Sequence, residues 1–245
     1  MIDFSIPPEL QGTRRRVTDF MDQFVYPNED KIVEDEGLPA ALERELQDKV
    51  KTAGLWAPHL PREWGGMGIG FIGQALVNEI IGRSVVAPRI FGNAAPDAGN
   101  AELLIISATE EQKETFLRPL ANGAVRSCFA MTEPEVAGSD PTGLRTKAVR
   151  DGDDWVINGH KWFTSGAIGS SFAIVMAVTD PAADAHARAS MILVPTDTPG
   201  FTIVRSVPVM GSGGVGGHCE VRFDDCRVPA RNLLGAAGQG SRTTP

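Results

Sequence analysis

Cysteine is scarce in this chain and tyrosine nearly absent: 245 residues contain three of the first and one of the second. Cys128, Cys219 and Cys226 form no C-x-x-C pair, so small apolar filling is their expected role and a reduced, cytoplasmic setting fits. His59, His160, His186 and His218 show no metal-ligand spacing, and no metal site is expected. Basic residues are also in deficit, with 23 Lys and Arg against 31 Asp and Glu, a net charge of −8 and a pI near 5.1. That balance argues against a nucleic-acid partner, and the cluster Arg14-Arg15-Arg16 reads as a solvated helix face. No apolar run approaches the roughly 20 residues of a membrane span, and Met1 to Ser5 lacks the charged and apolar regions of a secretory signal.

The chain is 42% hydrophobic, enough to bury a core in one or two domains. Its character changes near residue 125. Before that point the patterns are helical. Leu10 to Tyr26 carries Val17, Phe20, Met21 and Phe24 on one face, and Pro27 is expected to end it. Pro39 starts a second helix with Leu42, Leu46 and Val50 aligned and Gly54 as C-cap. Ile69 to Gly82 reads as a third, with Ile72, Leu76 and Ile80 facing inward. Asn100 to Ser107 and Glu110 to Leu120 follow, the latter opened by a Thr109/Gln112 capping box.

After residue 125 the patterns are β-like. Asp151-Gly152 and Asn158-Gly159 read as turns flanking a short strand, Trp155-Val156-Ile157. Phe172 to Thr179, Ser190 to Pro195, Phe201 to Val209 and His218 to Phe223 supply further strands, with an alanine-rich loop over Pro181 to Ala189. The expected fold class is α+β: a helical domain (1–124), a small antiparallel β-barrel or sandwich (125–235), and residues 236–245 beginning a further helical region.

Two formal G-x-G-x-x-G matches lack the context of a dinucleotide site. Gly68-Ile69-Gly70-Phe71-Ile72-Gly73 opens a helix, but the two prolines of Pro58 to Pro61 prevent a central strand before it. Gly211-Ser212-Gly213-Gly214-Val215-Gly216 leads into another strand rather than a helix. A nicotinamide fold is disfavoured, and no G-K-[ST] marks a phosphate loop.

The stretch Met131-Thr132-Glu133-Pro134-Glu135-Val136-Ala137-Gly138-Ser139-Asp140 carries the clearest chemical signal. A strand through Cys128-Phe129-Ala130 runs into it and breaks at the proline. About thirty residues on, Asn158-Gly159-His160-Lys161-Trp162-Phe163-Thr164-Ser165 forms a second strand-to-loop segment. An isoalloxazine ring needs a flat apolar face and a few donors at its polar edge. Trp162 and Phe163 offer the face; Thr132, Thr164 and Ser165 offer hydroxyls. Gly138 and Ser139 lie where backbone N–H groups can approach a pyrophosphate. A β-domain with ordinary turns and a buried tryptophan is the alternative on composition alone.

The two segments together resemble the flavin-contacting segments of the acyl-CoA dehydrogenase family. Leu60-Pro61-Arg62-Glu63-Trp64-Gly65-Gly66-Met67-Gly68, Arg118-Pro119-Leu120-Ala121-Asn122-Gly123 and Val221-Arg222-Phe223-Asp224-Asp225-Cys226-Arg227-Val228-Pro229 extend the resemblance from about residue 10 to about 240. Three residues rather than two separate Pro134 from Gly138, and Trp162 follows Lys161 directly. Both departures resemble the subgroup, near the mammalian long-chain-type members, in which the dehydrogenase is fused to a kinase-like domain.

The resemblance implies FAD as cofactor and α,β-dehydrogenation of an acyl-CoA in fatty acid metabolism. It also implies an electron-transfer flavoprotein as acceptor and a homo-oligomer. It places Phe129, Met131 and Thr132 at the pyrimidine edge, and Gly138 and Ser139 at the pyrophosphate, with Ser139 also toward the thioester. Trp162 and Phe163 would lie by the ring, Thr164 near its reactive nitrogen, and Ser165 beside it. Glu133 and Asp140 would shape the turn. No catalytic base is assigned: the family's glutamate lies in a C-terminal helical domain, and Leu234 to Gly240 falls where that domain should begin, so the chain is expected to be a fragment with weak activity. A non-catalytic flavin-binding remnant, or a nitroalkane oxidase or flavin monooxygenase on the same fold, is the alternative.

Overall fold

The computed structural model describes residues 5–211 and 214–240. Met1 to Phe4 of the segment read for a leader, Ser212 and Gly213 of the second glycine motif, and Ser241 to Pro245 lie outside the described residues. The chain divides into two compact units, with the break after Ala98.

The first unit is helical. α1 (Pro8–Phe20) buries Val17 and Phe20. Pro27 does not end this segment: helical turns continue through Met21–Val25 and then as a 3-10 turn over Tyr26–Lys31. Pro27 occupies the first turn of that 3-10 stretch, where a missing N–H forfeits no bond. α2 (Ala40–Thr52) ends in a Schellman motif, in which Gly54 has φ +65° and donates to Lys51, while Leu55 N–H donates to Val50 O at 3.0 Å. α3 (Gly70–Ile81) turns Gly73, Val77, Ile80 and Ile81 inward and leaves Ile72 62% exposed. Of the expected inward stripe Ile72, Leu76 and Ile80, Ile80 is buried and Leu76 half-buried, and Ile72 alone faces outward. This helix is apolar on both faces, and the small Gly73, where a Cβ would meet Ile69 at 2.8 Å, lets its own side pack closely. α4 (Ala87–Ile90) packs on α2 and α3.

The second unit begins within α5 (Asp97–Ser107), followed by α6 (Glu110–Gln112), a π-turn at Lys113–Leu117 and α7 (Arg118–Ala121). The π-turn precedes Pro119, which has no N–H for the regular ladder. The Thr109/Gln112 capping box is present, and Gln112 Nε2 also donates to the carbonyls of Arg231 (2.7 Å) and Leu233 (2.8 Å).

Among the described residues eight strands form one sheet: β1 (Ser127–Ala130), β2 (Lys147–Asp151), β3 (Asp154–Ser165), β4 (Phe172–Val178), β5 (Ala189–Pro195), β6 (Phe201–Ser206), β7 (His218–Pro229) and β8 (Leu233–Leu234). The order is β6-β7-β3-β2-β4-β5-β8, with β1 beside β4. The sheet is not closed into a barrel, and it is mixed rather than purely antiparallel. β1 and β2 lie end to end along one side of β4, both parallel to it, with Ser127 to Ala130 on Phe172 to Val175 and Lys147 on Val178. The reason is the excursion between them: residues 131–146 leave the sheet at one point of β4 and return further along.

β3 is longer than expected. Asp151-Gly152 does begin a hairpin turn, with Gly152 at φ +60°, but Asn158-Gly159 lies inside the strand. Gly159 is needed there for space, since a Cβ would come within 2.2 Å of Thr146 Oγ1. Asn158 Oδ1 accepts from Asp225 N–H, and its Nδ2 donates to Asp225 Oδ1, at a bulge in β7. The core holds Trp155, Ile157, Val175, Ile192, Val221 and Phe223 with all three free cysteines, and burial pushes the Cys226 thiol up to about 11.

Candidate functional site

The excursion from β1 and the end of β3 meet in the second unit. Three residues of β3 are bound to it in succession. Trp162 N–H donates to Thr132 O at 3.0 Å. Lys161 Nζ donates to Met131 O at 2.8 Å and to Glu133 Oε1 at 2.9 Å. His160 places Nδ1 3.2 Å from Glu135 and Nε2 2.8 Å from Glu220, whose other oxygen accepts from Arg205.

Glu133 is buried, and each of its oxygens is engaged. Oε2 accepts from Arg145 N–H at 2.7 Å; Oε1 accepts from Thr146 N–H at 2.8 Å and from Lys161. Burial raises the Glu133 pKa, but the Lys161 charge and these hydrogen bonds outweigh it, so the carboxyl sits below its ordinary value. Burial pulls the Lys161 ammonium down to about 8, against the opposing pull of Glu133. Asp140 accepts from Thr142 N–H and Oγ1, which holds its carboxyl low and caps the 3-10 turn Pro141–Gly143.

Beyond Lys161, β3 carries one more residue than β7 before pairing resumes at Thr164 and Cys219. The bulge falls on Trp162 and Phe163. Phe163 has a left-handed backbone, φ +49°, rare for a bulky residue, and is 40% exposed with its ring 4.5 Å from that of half-buried Trp162. Thr164 is fully buried, and among the described residues its Oγ1 has no hydrogen-bond partner. Ser165 Oγ and His218 Nδ1 share a hydrogen bond of 2.7 Å. Met131 and Thr132 are half-buried; a Cβ on Gly138 would lie 3.2 Å from Thr132 Cγ2. Phe129 is half-buried within β1, and Ser139 is exposed on the loop.

The chain matches the acyl-CoA dehydrogenase N-terminal domain over residues 7–124 and the middle domain of the same family over residues 128–226. The chain belongs to the acyl-CoA dehydrogenase family. It is 44% identical over 250 aligned positions to the probable acyl-CoA dehydrogenase FadE2 of Mycobacterium tuberculosis, covering 98% of this chain and 60% of that one. It is 40% identical to acyl-CoA dehydrogenase family member 10 of Mus musculus, covering 96% of this chain and 23% of the mouse protein. A putative acyl-CoA dehydrogenase from Mycobacterium abscessus superposes with a TM-score of 0.90 at 38% identity, over 98% of this chain and 63% of that one. The chain thus spans less than two thirds of these acyl-CoA dehydrogenase relatives.

Trp162, Phe163, Thr132 and Met131 therefore share one neighbourhood, while Ser139 stands apart on the loop and Ser165 is engaged with His218. Sequence reasoning gave no role to Lys161 or His218. Lys161 carried a readable signal: it continues the inward alternation Trp155, Ile157, Gly159, and a lysine on an inward face requires a buried acceptor. His218 carried no such sign. Among the described residues no helix is long and apolar enough to cross a membrane.

Proposed function

We propose that these two domains belong to an FAD-dependent acyl-CoA dehydrogenase and that the excursion from β1 and the bulge of β3 hold the flavin. The observation that carries the reading is the strained bulge of β3, where exposed Phe163 and half-buried Trp162 stand beside Thr164, a fully buried hydroxyl without a partner among the described residues. No solvent reaches Oγ1 in the flavin-free fold, and Thr146 Oγ1 and Trp155 Nε1 are unpaired in the same way. A flavin edge therefore supplies the Thr164 partner only where the strained bulge at Trp162 and Phe163 shifts to admit the ring. Trp162 and Phe163 provide the apolar contact, Met131 and Thr132 the pyrimidine edge with Phe129 behind them, Gly138 and Ser139 the pyrophosphate contact, and Ser165 a position next to Thr164. FAD, when bound, supplies the electron-pair acceptor that no amino-acid side chain offers.

The chain's own residues bind and orient. The open loop at Gly138 admits backbone N–H groups to an anion, and Ser139, exposed, is placed toward the thioester. Trp162 and Phe163 exclude water from one ring face. Glu133 is held by three donors and Asp140 by two, so neither serves as the proton acceptor, and we assign no base within the matched segments. By family resemblance, an electron-transfer flavoprotein is the acceptor and the assembly a homo-oligomer.

The test is a titration of the protein with FAD and then with an acyl-CoA, followed in the visible. Bound flavin whose spectrum shifts on adding the thioester supports the proposal. Bound flavin indifferent to the thioester contradicts the substrate, and failure to take up FAD contradicts the cofactor.

A further inference from the structure

Residues 131–146 leave the sheet after β1 and rejoin it at β2, and no β-ladder pairs them in between. Their internal backbone bonds are turn contacts such as Val136 N–H to Glu133 O and Asp140 N–H to Ala137 O. The Lys161 and Glu133 side chains, 0% and 1% exposed, supply the connection that the ladder lacks. From one point they hold the exit of the excursion (Met131 O), its return (Arg145 and Thr146 N–H) and β3 itself. A buried ion pair is weak as a source of stability, because desolvation offsets the attraction and apolar residues of similar volume commonly serve as well. What apolar residues cannot do is hold three backbone groups of an irregular loop in fixed directions.

We propose that Lys161 and Glu133 are positioning residues that set the first proposed flavin segment, Met131 to Ser139, against the second, Trp162 to Ser165. The inference rests on reading those segments as the FAD site. Lys161 acts on the residue before Thr132 and lies next to Trp162, so both segments move if it is lost.

The experiment compares the wild type with Lys161→Met and with Lys161→Met/Glu133→Leu. The single variant strands a buried carboxylate and can fail to fold; the double variant carries no buried charge and is expected to fold. Two quantities are read in the folded protein: amide exchange at Arg145, Thr146 and Trp162, and the dissociation constant for FAD. In the wild type the three amides should exchange as one cooperative unit, with protection factors within roughly threefold of one another. In the double variant they should exchange at least roughly tenfold faster while core amides of β4 and β5 are unchanged, and FAD should bind at least roughly tenfold more weakly. Arg145 and Thr146 lose their acceptor directly in the double variant, so the deciding readouts are the Trp162 amide, whose acceptor Thr132 O remains, and the FAD affinity. A merely structural pair would move neither of these once the fold is regained. Wild-type amides that exchange independently overturn the proposal, as does a double variant that binds FAD within about twofold of the wild type. A wild type that takes up no FAD overturns the flavin reading and this inference together, whereas variants that loosen the loop but bind FAD normally overturn the inference alone.

Discussion

Replacing Thr164 by valine separates a flavin site from an ordinary β-domain core. Thr164 is 0% exposed and its Oγ1 has no partner among the described residues. A buried hydroxyl left unpaired costs about 1–3 kcal/mol, and a methyl of nearly the same shape removes that cost. Thr164→Val should therefore stabilise the flavin-free protein by about 1 kcal/mol, the low end of that range, since the valine must still fit the space around Cys219. Bound FAD offsets that gain and brings the net change near zero. The lost hydrogen bond is worth about 0.5–1.5 kcal/mol, which weakens FAD binding by roughly two- to tenfold. Urea unfolding of both proteins without flavin and at saturating FAD measures the two effects in one experiment, because bound FAD adds its own stabilisation by mass action. Destabilisation of the flavin-free protein together with unchanged FAD affinity would refute the reasoning, for it would mean that Oγ1 already has a partner within the fold.

Other consequences are as specific. Gly159→Ala drives a Cβ onto Thr146 and should cost about 1–3 kcal/mol by urea midpoint; Thr146→Gly in the same chain should restore at least half of it. His59 is held down to about 4 from its ordinary 6.5, chiefly by burial. Between those values the unfolded chain binds a proton that the folded one does not, so stability should fall by up to about 3 kcal/mol as pH drops from 6.5 to 4. His59→Gln should flatten that slope, and an equal slope in the variant would exclude His59 as its source. Gln112→Leu breaks the capping box and strands the carbonyls of Arg231 and Leu233, for an expected loss of about 2–4 kcal/mol in thermal or urea unfolding.

The helices were legible wherever caps marked them. Thr109 with Gln112 and Gly54 after Val50 were readable because capping is local chemistry. Ile72 of α3 was misread because apolar residues on both faces leave periodicity undecided, and only packing at Gly73 settles the orientation of the helix. Pro27 misled for a related reason: proline stops an α-helical ladder but fits the first turn of a 3-10 stretch. In the sheet, Asn158-Gly159 has the composition of a turn, yet it is a strand because Thr146 leaves no room for a side chain and Asp225 takes the asparagine's hydrogen bonds. Both facts depend on residues far along the chain. The parallel placement of β1 and β2 on β4 was hidden for the same reason, since strand partners across an irregular excursion have no local signature.

At the candidate site, the aromatic and hydroxyl residues were legible as types, and Glu133 and Asp140 as turn formers. The partner of Glu133 was less visible. Lys161 sat in plain view between a histidine and a tryptophan, and its burial follows only from strand alternation continued through Gly159. The bulge at Trp162 and Phe163 arises from register against β7, which the spacing of residues in β3 does not disclose.

The measurement that bears most directly on the account is the visible spectrum of the purified protein after incubation with FAD and gel filtration, repeated with Thr164→Val. The account predicts flavin that co-elutes with the wild type at a saturating ratio and is bound less tightly by the variant. A wild type that elutes colourless from excess FAD would contradict it.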